Sequence, residues 1–377
     1  MGNASVKSMY VHIPFCRRIC SYCDFCKNFY NEELASKYLD ALESEIKSTY
    51  KNNVINTLYI GGGTPSALSL NNLKKLFKIL KSIKLSNKYE FTFECNYEDI
   101  TDQLLSILQE NKVNRLSVGI QTFNSSYEKI LNRIINKEKI IESINIAKKY
   151  FHNINVDLMY ALPNEKLDDL KHDLDMFISL NVSHISTYAL IIEDGTLLKI
   201  ENTKEIDDEL QSDMYYYIKN YLEKNGYLHY EISNYSKKGF ESKHNLTYWN
   251  NMNYYGFGAG ASSFVGNKRI DNTKSIYNYM NKNKIMHEEI LDNNQLIKDE
   301  VMLNLRKING INKKEFYSKY KKTVDNYFLY NELINNSLLI EDNENIKINE
   351  KYLFVSNSII SKFIDMYKYW FKPIFNV

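Results

Sequence analysis

The chain has 377 residues, 44% hydrophobic and 25% charged, and its 48 Lys+Arg against 46 Asp+Glu leave a formal net charge of +2. This composition excludes a disordered chain, a collagen-like fibre and a small disulfide scaffold, and the near-balance of charge supplies no global attraction to nucleic acid or an anionic membrane. The length suits one large domain with a smaller one, no apolar run reaches a membrane span, and residues 1–9 lack a signal-peptide pattern, so the expectation is a cytoplasmic protein.

The first expected strand, at 10–13, leads into HIPFCRRICSYCDF. This segment and the residue after it hold Cys16, Cys20, Cys23 and Cys26, four of the five cysteines; Cys95 stands alone. An odd count clustered on one short loop argues for metal binding over disulfides. With the spacing C-x-x-x-C-x-x-C, Cys16, Cys20 and Cys23 can hold three corners of a cubic iron–sulfur cluster, which leaves the fourth iron open to an exchangeable ligand. The alternative is a zinc ion on the same thiolates with a fourth ligand such as Cys26. Zinc knuckles draw on two paired cysteine turns, and no second pair exists here.

Short strand-like runs then alternate with helical ones. The expected strands are 10–13, 57–60, 89–94, 115–119, 154–159 and 184–189. Leu39, Leu42, Ile46 and Tyr50 share one face of a helix over 35–50, and Leu73, Leu76, Phe77 and Leu80 share one face over 70–83. Strands spaced by helices imply βαβ units, and six units imply an α/β fold, a partial (β/α)6 TIM-like barrel with strand order following chain order.

The unusual residues collect where these strands end. The cysteine loop follows the first strand and GGGTP, at 61–65, follows the second. Glu94 and Asn96 close the third, Gly119 and Gln121 the fourth, Asp157 lies on the fifth, and Tyr188 and Ala189 close the sixth. In α/β barrels this end of the strands carries the active site. Each residue also has a plainer reading. The glycines supply a tight turn, Glu94 is an exposed strand-end charge, Gln121 caps a helix, and Arg133 in LNRI is solvated. Asp157, between Val156 and Leu158, is harder to dismiss, because an acid on a buried strand needs a partner or a ligand.

After about residue 235 the βα rhythm fades. The stretch YYGFGAGASSF is Gly- and aromatic-rich and suits close packing over the barrel. Residues 295–365 read as short helices and a β-hairpin, with DNEN at 342–345 as its turn. The acids of 338–350 argue against nucleic-acid binding. The expected division is a barrel at 1–235, a connecting region at 236–295, and a C-terminal domain with its tail at 296–377. The tail MYKYWFKPIFNV is expected to pack on the body, the other reading being a partner or membrane-surface contact.

The ordered series YVHIPFCRRICSYCDF, LYIGGGTP, RLSVGIQTF, HISTYALIIEDGT, YEISNYSKKG, HNLTYW and LNLRKINGI spans about residues 10–311. It resembles the radical S-adenosylmethionine superfamily. More narrowly it resembles the HemN/HemW branch, which holds oxygen-independent coproporphyrinogen III dehydrogenases and related heme chaperones. The resemblance implies a 4Fe-4S cluster on Cys16, Cys20 and Cys23, whose open iron binds the amino and carboxylate groups of S-adenosyl-L-methionine. It implies Tyr22 near the adenine and Tyr10 near the methionine end. Gly62, Gly63 and Thr64 would bring backbone groups against the methionine moiety, and Glu94 would accept hydrogen bonds from the cofactor. Gln121, Arg133, Asp157 and Ala189 match positions that line a second cofactor site in the dehydrogenases. The C-terminal part would be a small α+β winged-helix-like domain. The family's chemistry is one-electron cleavage of the sulfonium to a 5′-deoxyadenosyl radical, with the protein supplying orientation and a dry pocket.

Within the branch, three features favour the HemW type. Phe25 stands where the dehydrogenases carry a fourth cysteine, and Cys26 is one residue too far to restore that motif. Only fifteen residues precede Cys16. The segment HNLTYW, at 244–249, matches the HNxxYW motif associated with heme binding. An imidazole such as that of His244 is a good axial ligand for heme iron, with Tyr248 and Trp249 to pack on the porphyrin. The plainer reading is a hydrogen-bonded histidine beside core aromatics. Tyr97, Ile135 and Ala161 depart from the family's usual proline, histidine and glycine. The expected function is a heme chaperone that passes heme to an acceptor protein, a transient membrane-protein acceptor included, as a monomer or dimer. The other reading is an enzyme that decarboxylates coproporphyrinogen III.

Overall fold

The structure, a computed structural model, describes residues 5–326 and 329–363. The aromatic tail at 366–377 lies outside the described residues. All six predicted strands are present: β1 (Ser8–Ile13), β2 (Val54–Gly62), β3 (Lys84–Asn96), β4 (Arg115–Gln121), β5 (Asn153–Tyr160) and β6 (His184–Ala189). They pair in parallel in chain order. Between them run α1 (Glu32–Thr49), α2 (Leu70–Leu80), α3 (Asp102–Glu110), α4 (Lys137–Tyr150) and α5 (Leu167–Ser179). Asn31, Ser69, Thr101 and Asn136 start the first four by accepting the N–H of Leu34, Asn72, Leu104 and Lys139. Each cap satisfies a donor that the first helical turn leaves over. The expected stripes are buried, except that Tyr50 is the C-cap of α1 and half-buried.

The pairing register sorts the side chains by face. Val11, Ile60, Phe93, Leu116 and Ile154 stand side by side on neighbouring strands, and each is at most 2% exposed. This row faces the helices: Phe77 of α2 stacks on Phe93. Side chains alternate across a strand. Tyr10, His12, Tyr59, Glu94, Arg115, Ser117, Asn155, Asp157, His184 and Ser186 therefore share the opposite face. The strands carry an apolar face under the helices and a polar face around the site.

YYGFGAGASSF does not form a layer over this sheet. It supplies β7 (Tyr254–Phe257), which pairs in parallel with β1, and β8 (Ser262–Val265), which pairs antiparallel with β7. Strands β9 (Lys268–Asn272) and β10 (Ile285–Ile290) continue the antiparallel meander. Glycine is required inside β7: a Cβ on Gly256 would lie 1.9 Å from the Ser262 carbonyl oxygen.

By contact density the chain forms two units. One is Met1–Met214 with Asn253–Ile290, and the other is Tyr215–Met252 with Leu291–Val377. The units interleave where consecutive segments 1–235, 236–295 and 296–377 were expected. The pairing of β7 with β1 accounts for this, because it returns the chain to the first sheet. The second unit holds a three-stranded antiparallel sheet of Ile311–Asn312, Asn345–Ile348 and Leu339–Glu341, with helices that include Asn293–Asn304 and Lys313–Tyr320. The turn expected at 342–345 is there. Asp342 Oδ1 accepts the N–H of Glu344 at 2.9 Å and of Asn345 at 2.8 Å.

Ala161 is buried with φ +60°. An L-residue is strained in that left-handed region by about 1 kcal/mol. Ala161→Gly is expected to stabilise the protein by up to about 1 kcal/mol, read as a higher midpoint in urea with an unchanged slope.

Candidate functional site

The cysteine loop leaves the end of β1 and is seated from several sides. Gly63 N–H donates to the Ile13 carbonyl at 3.0 Å and Thr64 N–H to the Phe15 carbonyl at 2.8 Å. Thr64 Oγ1 lies 3.6 Å from Cys16 Sγ. Ser21 N–H donates to the Leu131 carbonyl at 3.1 Å, and Asn132 Nδ2 to the Ile19 carbonyl at 2.9 Å. Cys16 is buried, while Cys20 and Cys23 are half-buried. Burial pushes the Cys16 thiol up to about 12 and the Cys23 thiol up to about 11; the charges of Cys23 and Cys20 add to the rise at Cys16, and that of Cys20 to the rise at Cys23. Cys26 is used differently. Its thiol donates to the Lys274 carbonyl at 3.1 Å, so it is not a member of the triad.

The glycines of GGGTP do more than turn the chain. A Cβ on Gly63 would lie 2.8 Å from Cys16 Sγ and 2.9 Å from the Phe15 nitrogen. Gly62 has φ +120°, and a Cβ there would lie 2.7 Å from the His12 ring. The glycines give way to a thiol and an imidazole. His12 links the strand to the loop: Nδ1 lies 3.0 Å from Tyr10 Oη, and Nε2 lies 2.8 Å from the Cys26 carbonyl. Burial lowers the His12 pKa to about 4, so the ring is neutral. A neutral ring that donates from Nε2 to the carbonyl accepts at Nδ1 from Tyr10.

Glu94 is not an exposed strand-end charge. It is half-buried, with Oε1 accepting from Tyr59 Oη at 2.7 Å and Oε2 from Gly62 N–H at 3.1 Å. Burial raises its pKa to about 7, opposed mainly by the Tyr59 bond. Asp157 on β5 accepts from Asn155 Nδ2 at 2.8 Å, and burial raises its pKa. Asp157 is half-buried, and the polar partners it needs come from its own strand and from Ser186 on β6.

Arg133 is not solvated. It is 9% exposed, and its guanidinium donates to Asn96 Oδ1 and the Gly119 carbonyl, with Nη1 3.8 Å from Cys20 Sγ. Gln121 does not cap a helix. It sits at φ +76°, and Asn124 caps the next helical turn. Tyr22 is half-buried and packs against the cluster of Tyr127, Leu131, Ile135, Met159, Leu162, Leu190 and Leu198. Ala189 pairs with Tyr160, on the alternation opposite to Asp157, so its side chain does not join the polar face.

His244 lies in the helix Lys243–Trp249 of the second unit. It is 1% exposed, with Nε2 2.9 Å from Tyr248 Oη and the two rings edge to face. This is the arrangement of a hydrogen-bonded histidine beside core aromatics. Trp249 stacks under the Arg306 guanidinium at 5.0 Å.

Sequence reasoning named Asn96 as a strand end but missed Tyr59 and the place of His12 in the site. A signal was present for His12: Tyr10 and His12 are two apart on one strand and so share a face. Among the described residues, no group of three or more His, Cys, Asp or Glu side chains closes on a single ion. The three thiols still fit a larger group. They sit on one loop, in mutual electrostatic reach, beside a backbone kept clear at Gly63.

The model of the radical SAM superfamily matches residues 10–177. A protein of Lactococcus lactis named heme chaperone HemW is 38% identical over 368 residues, which cover 95% of this chain and 97% of that one. The Bacillus subtilis protein of the same name is 35% identical over 378 residues, covering 95% and 99%. Among solved structures, Escherichia coli coproporphyrinogen III oxidase, HemN, a radical SAM enzyme, aligns with a TM-score of 0.85 at 22% identity. The alignment covers 97% of this chain and 91% of that one. At that identity the likeness establishes the fold: the parallel strands and helices described above form the α/β fold of that enzyme.

Proposed function

The chain belongs to the radical SAM superfamily and, within it, to the HemW family, and from that membership we infer that it is a heme chaperone, binding heme and passing it to an acceptor protein. The carrying observation is the likeness to the Lactococcus lactis heme chaperone over nearly the whole of both chains. No helix among the described residues is long and apolar enough to cross a membrane, and a cytoplasmic location is proposed with the function.

Cys16, Cys20 and Cys23 are proposed to hold a 4Fe-4S cluster, and S-adenosyl-L-methionine to bind at its side. When bound, the pair supplies one-electron chemistry at the sulfonium. The chain's own residues orient it. Gly62, Gly63 and Thr64 offer backbone groups beside Cys16. Glu94 already accepts from Tyr59 and Gly62, and each carboxylate oxygen keeps a further lone pair for a ligand donor. Tyr10, fixed by His12, stands near Glu94 on the same face, and Tyr22 provides an aromatic wall next to Cys20. Gln121, Asp157 and the unpartnered Nε of Arg133 are proposed to line a second cofactor position, to which Ala189 would contribute backbone alone.

His244 is proposed as the heme ligand, which requires its release from Tyr248. His244→Ala is expected to weaken heme binding at least tenfold, about 1.4 kcal/mol, with iron–sulfur content unchanged. Tyr248→Phe, which removes the Tyr248 hydroxyl and keeps the imidazole, should preserve heme binding. Equal heme affinity in His244→Ala and the parent would remove His244 as a ligand and leave it a core residue.

The function itself is tested in two arms on anaerobically reconstituted protein. Heme titration and transfer to a heme-depleted acceptor should succeed. Incubation with coproporphyrinogen III, S-adenosylmethionine and a strong reductant should yield no protoporphyrinogen by mass, with an authentic dehydrogenase active in parallel. Product in the second arm, without heme transfer in the first, would make the protein a heme-biosynthetic enzyme.

A further inference from the structure

Residues 130–133 grip the cysteine loop through consecutive contacts. Ser21 Oγ donates to the Ile130 carbonyl, Ser21 N–H to the Leu131 carbonyl and Asn132 Nδ2 to the Ile19 carbonyl; Arg133 Nη1 reaches Cys20 Sγ. Asn132 has φ +47°, a left-handed turn that Asn tolerates better than most residues. That turn sends Asn132 toward the loop and Arg133 toward the strand ends. The guanidinium cannot swing freely there. Nη2 donates to Asn96 Oδ1 at the end of β3 and to the Gly119 carbonyl in β4. The Tyr97 ring lies 5.9 Å from Arg133 Cζ, and its hydroxyl donates to the Ile134 carbonyl at 2.8 Å. The result is a buried cation, fixed at several points, with one N–H directed at the sulfur of the middle cysteine.

We propose that Arg133 is a positioning residue that acts through Cys20: its N–H···S bond and its charge raise the reduction potential of the iron–sulfur group carried by Cys16, Cys20 and Cys23. The inference rests on the cluster reading above. Reduction adds one negative charge to the cluster. A nearby fixed cation and a donor to a ligand sulfur stabilise the reduced form more than the oxidised one, and hydrogen bonds to the sulfurs are among the protein's levers on such potentials. The 3.8 Å separation lies in the range of hydrogen bonds to sulfur, and burial at 9% exposure limits screening by solvent. This role differs from contact with a ligand carboxylate, since it is present in the protein alone and leaves Nε–H free.

The test is an EPR-monitored redox titration of the reconstituted full chain, with iron and sulfide measured per chain. Arg133→Gln keeps an N–H donor and removes the charge. It is expected to load as much iron and sulfide as the parent. Its midpoint should fall enough to lower the reduced-to-oxidised ratio at fixed poise at least tenfold, which is 59 mV for a one-electron couple. Arg133→Lys, which keeps the charge without the fork, should shift the midpoint less in the same direction. An unchanged midpoint with a full cluster overturns the proposal. If the glutamine variant does not load, the lysine variant decides on the same criterion. If neither loads, Arg133 is a structural clamp and the proposal is overturned. A parent that does not load would sink the cluster reading instead.

Discussion

Cys20→Ala is expected to abolish the iron–sulfur absorbance near roughly 400 nm and the reduced-state EPR signal of anaerobically reconstituted protein, while far-ultraviolet circular dichroism stays that of the parent. A cubic cluster held by three thiolates keeps none to spare, and removing the middle one leaves two sulfurs flanking a gap. Cys26 is poorly placed to substitute, because its thiol donates to the Lys274 carbonyl and its own carbonyl is bonded to His12. The loop should survive the mutation, because its seat is made by main-chain bonds to Ile13, Phe15 and Leu131 and by Asn132. Cys26→Ala is the companion variant, and it should load normally. Iron content equal to the parent's in Cys20→Ala would contradict the cluster assignment and reopen a site built on other ligands.

Gly62→Ala is expected to destabilise the protein by roughly 2 to 6 kcal/mol and to prevent cluster loading. Two costs add. The backbone at φ +120° is open to glycine and strained for alanine by about 1 to 3 kcal/mol. The new methyl would also stand 2.7 Å from the His12 ring, and overpacking a closed site costs about 1 to 3 kcal/mol. If the imidazole moves aside, its bonds to Tyr10 and the Cys26 carbonyl are lost, and the loop loses its tie to β1. The destabilisation is read from urea unfolding of cluster-free protein, and the loading from iron per chain. His12→Ala combined with Gly62→Ala separates the two costs. It should recover the overpacking part and retain the backbone part. Parent-like stability in Gly62→Ala alone would mean that the imidazole yields freely and that its bonds hold nothing in place.

Much of the site was legible along the chain because its chemistry is local. The cysteine spacing lies within one loop. The six strand ends carry their unusual residues at positions that the strand periodicity itself identifies, and every predicted strand formed. Residues whose partners lie far along the chain were not legible. Arg133 looked solvated in LNRI, yet it is buried against Asn96, Gly119 and Cys20, which come from three other segments. Gln121 looked like a cap until its left-handed backbone gave that role to Asn124. The glycines of GGGTP admitted a simple turn, and only the packing shows that Gly62 clears His12 and Gly63 clears Cys16.

The sequence by itself determined the alternation of strand and helix, the thiol triad and the polar strand ends, because hydrophobic period, helix caps and loop spacing act over a few residues. The tertiary structure alone decided that YYGFGAGASSF joins the sheet beside β1 and that His244 is closed in by Tyr248. It also decided that a buried arginine aims at the central cysteine. Each of these depends on a contact between segments distant in the chain, whose hydrogen bonds and desolvation exist only once the fold has brought them together.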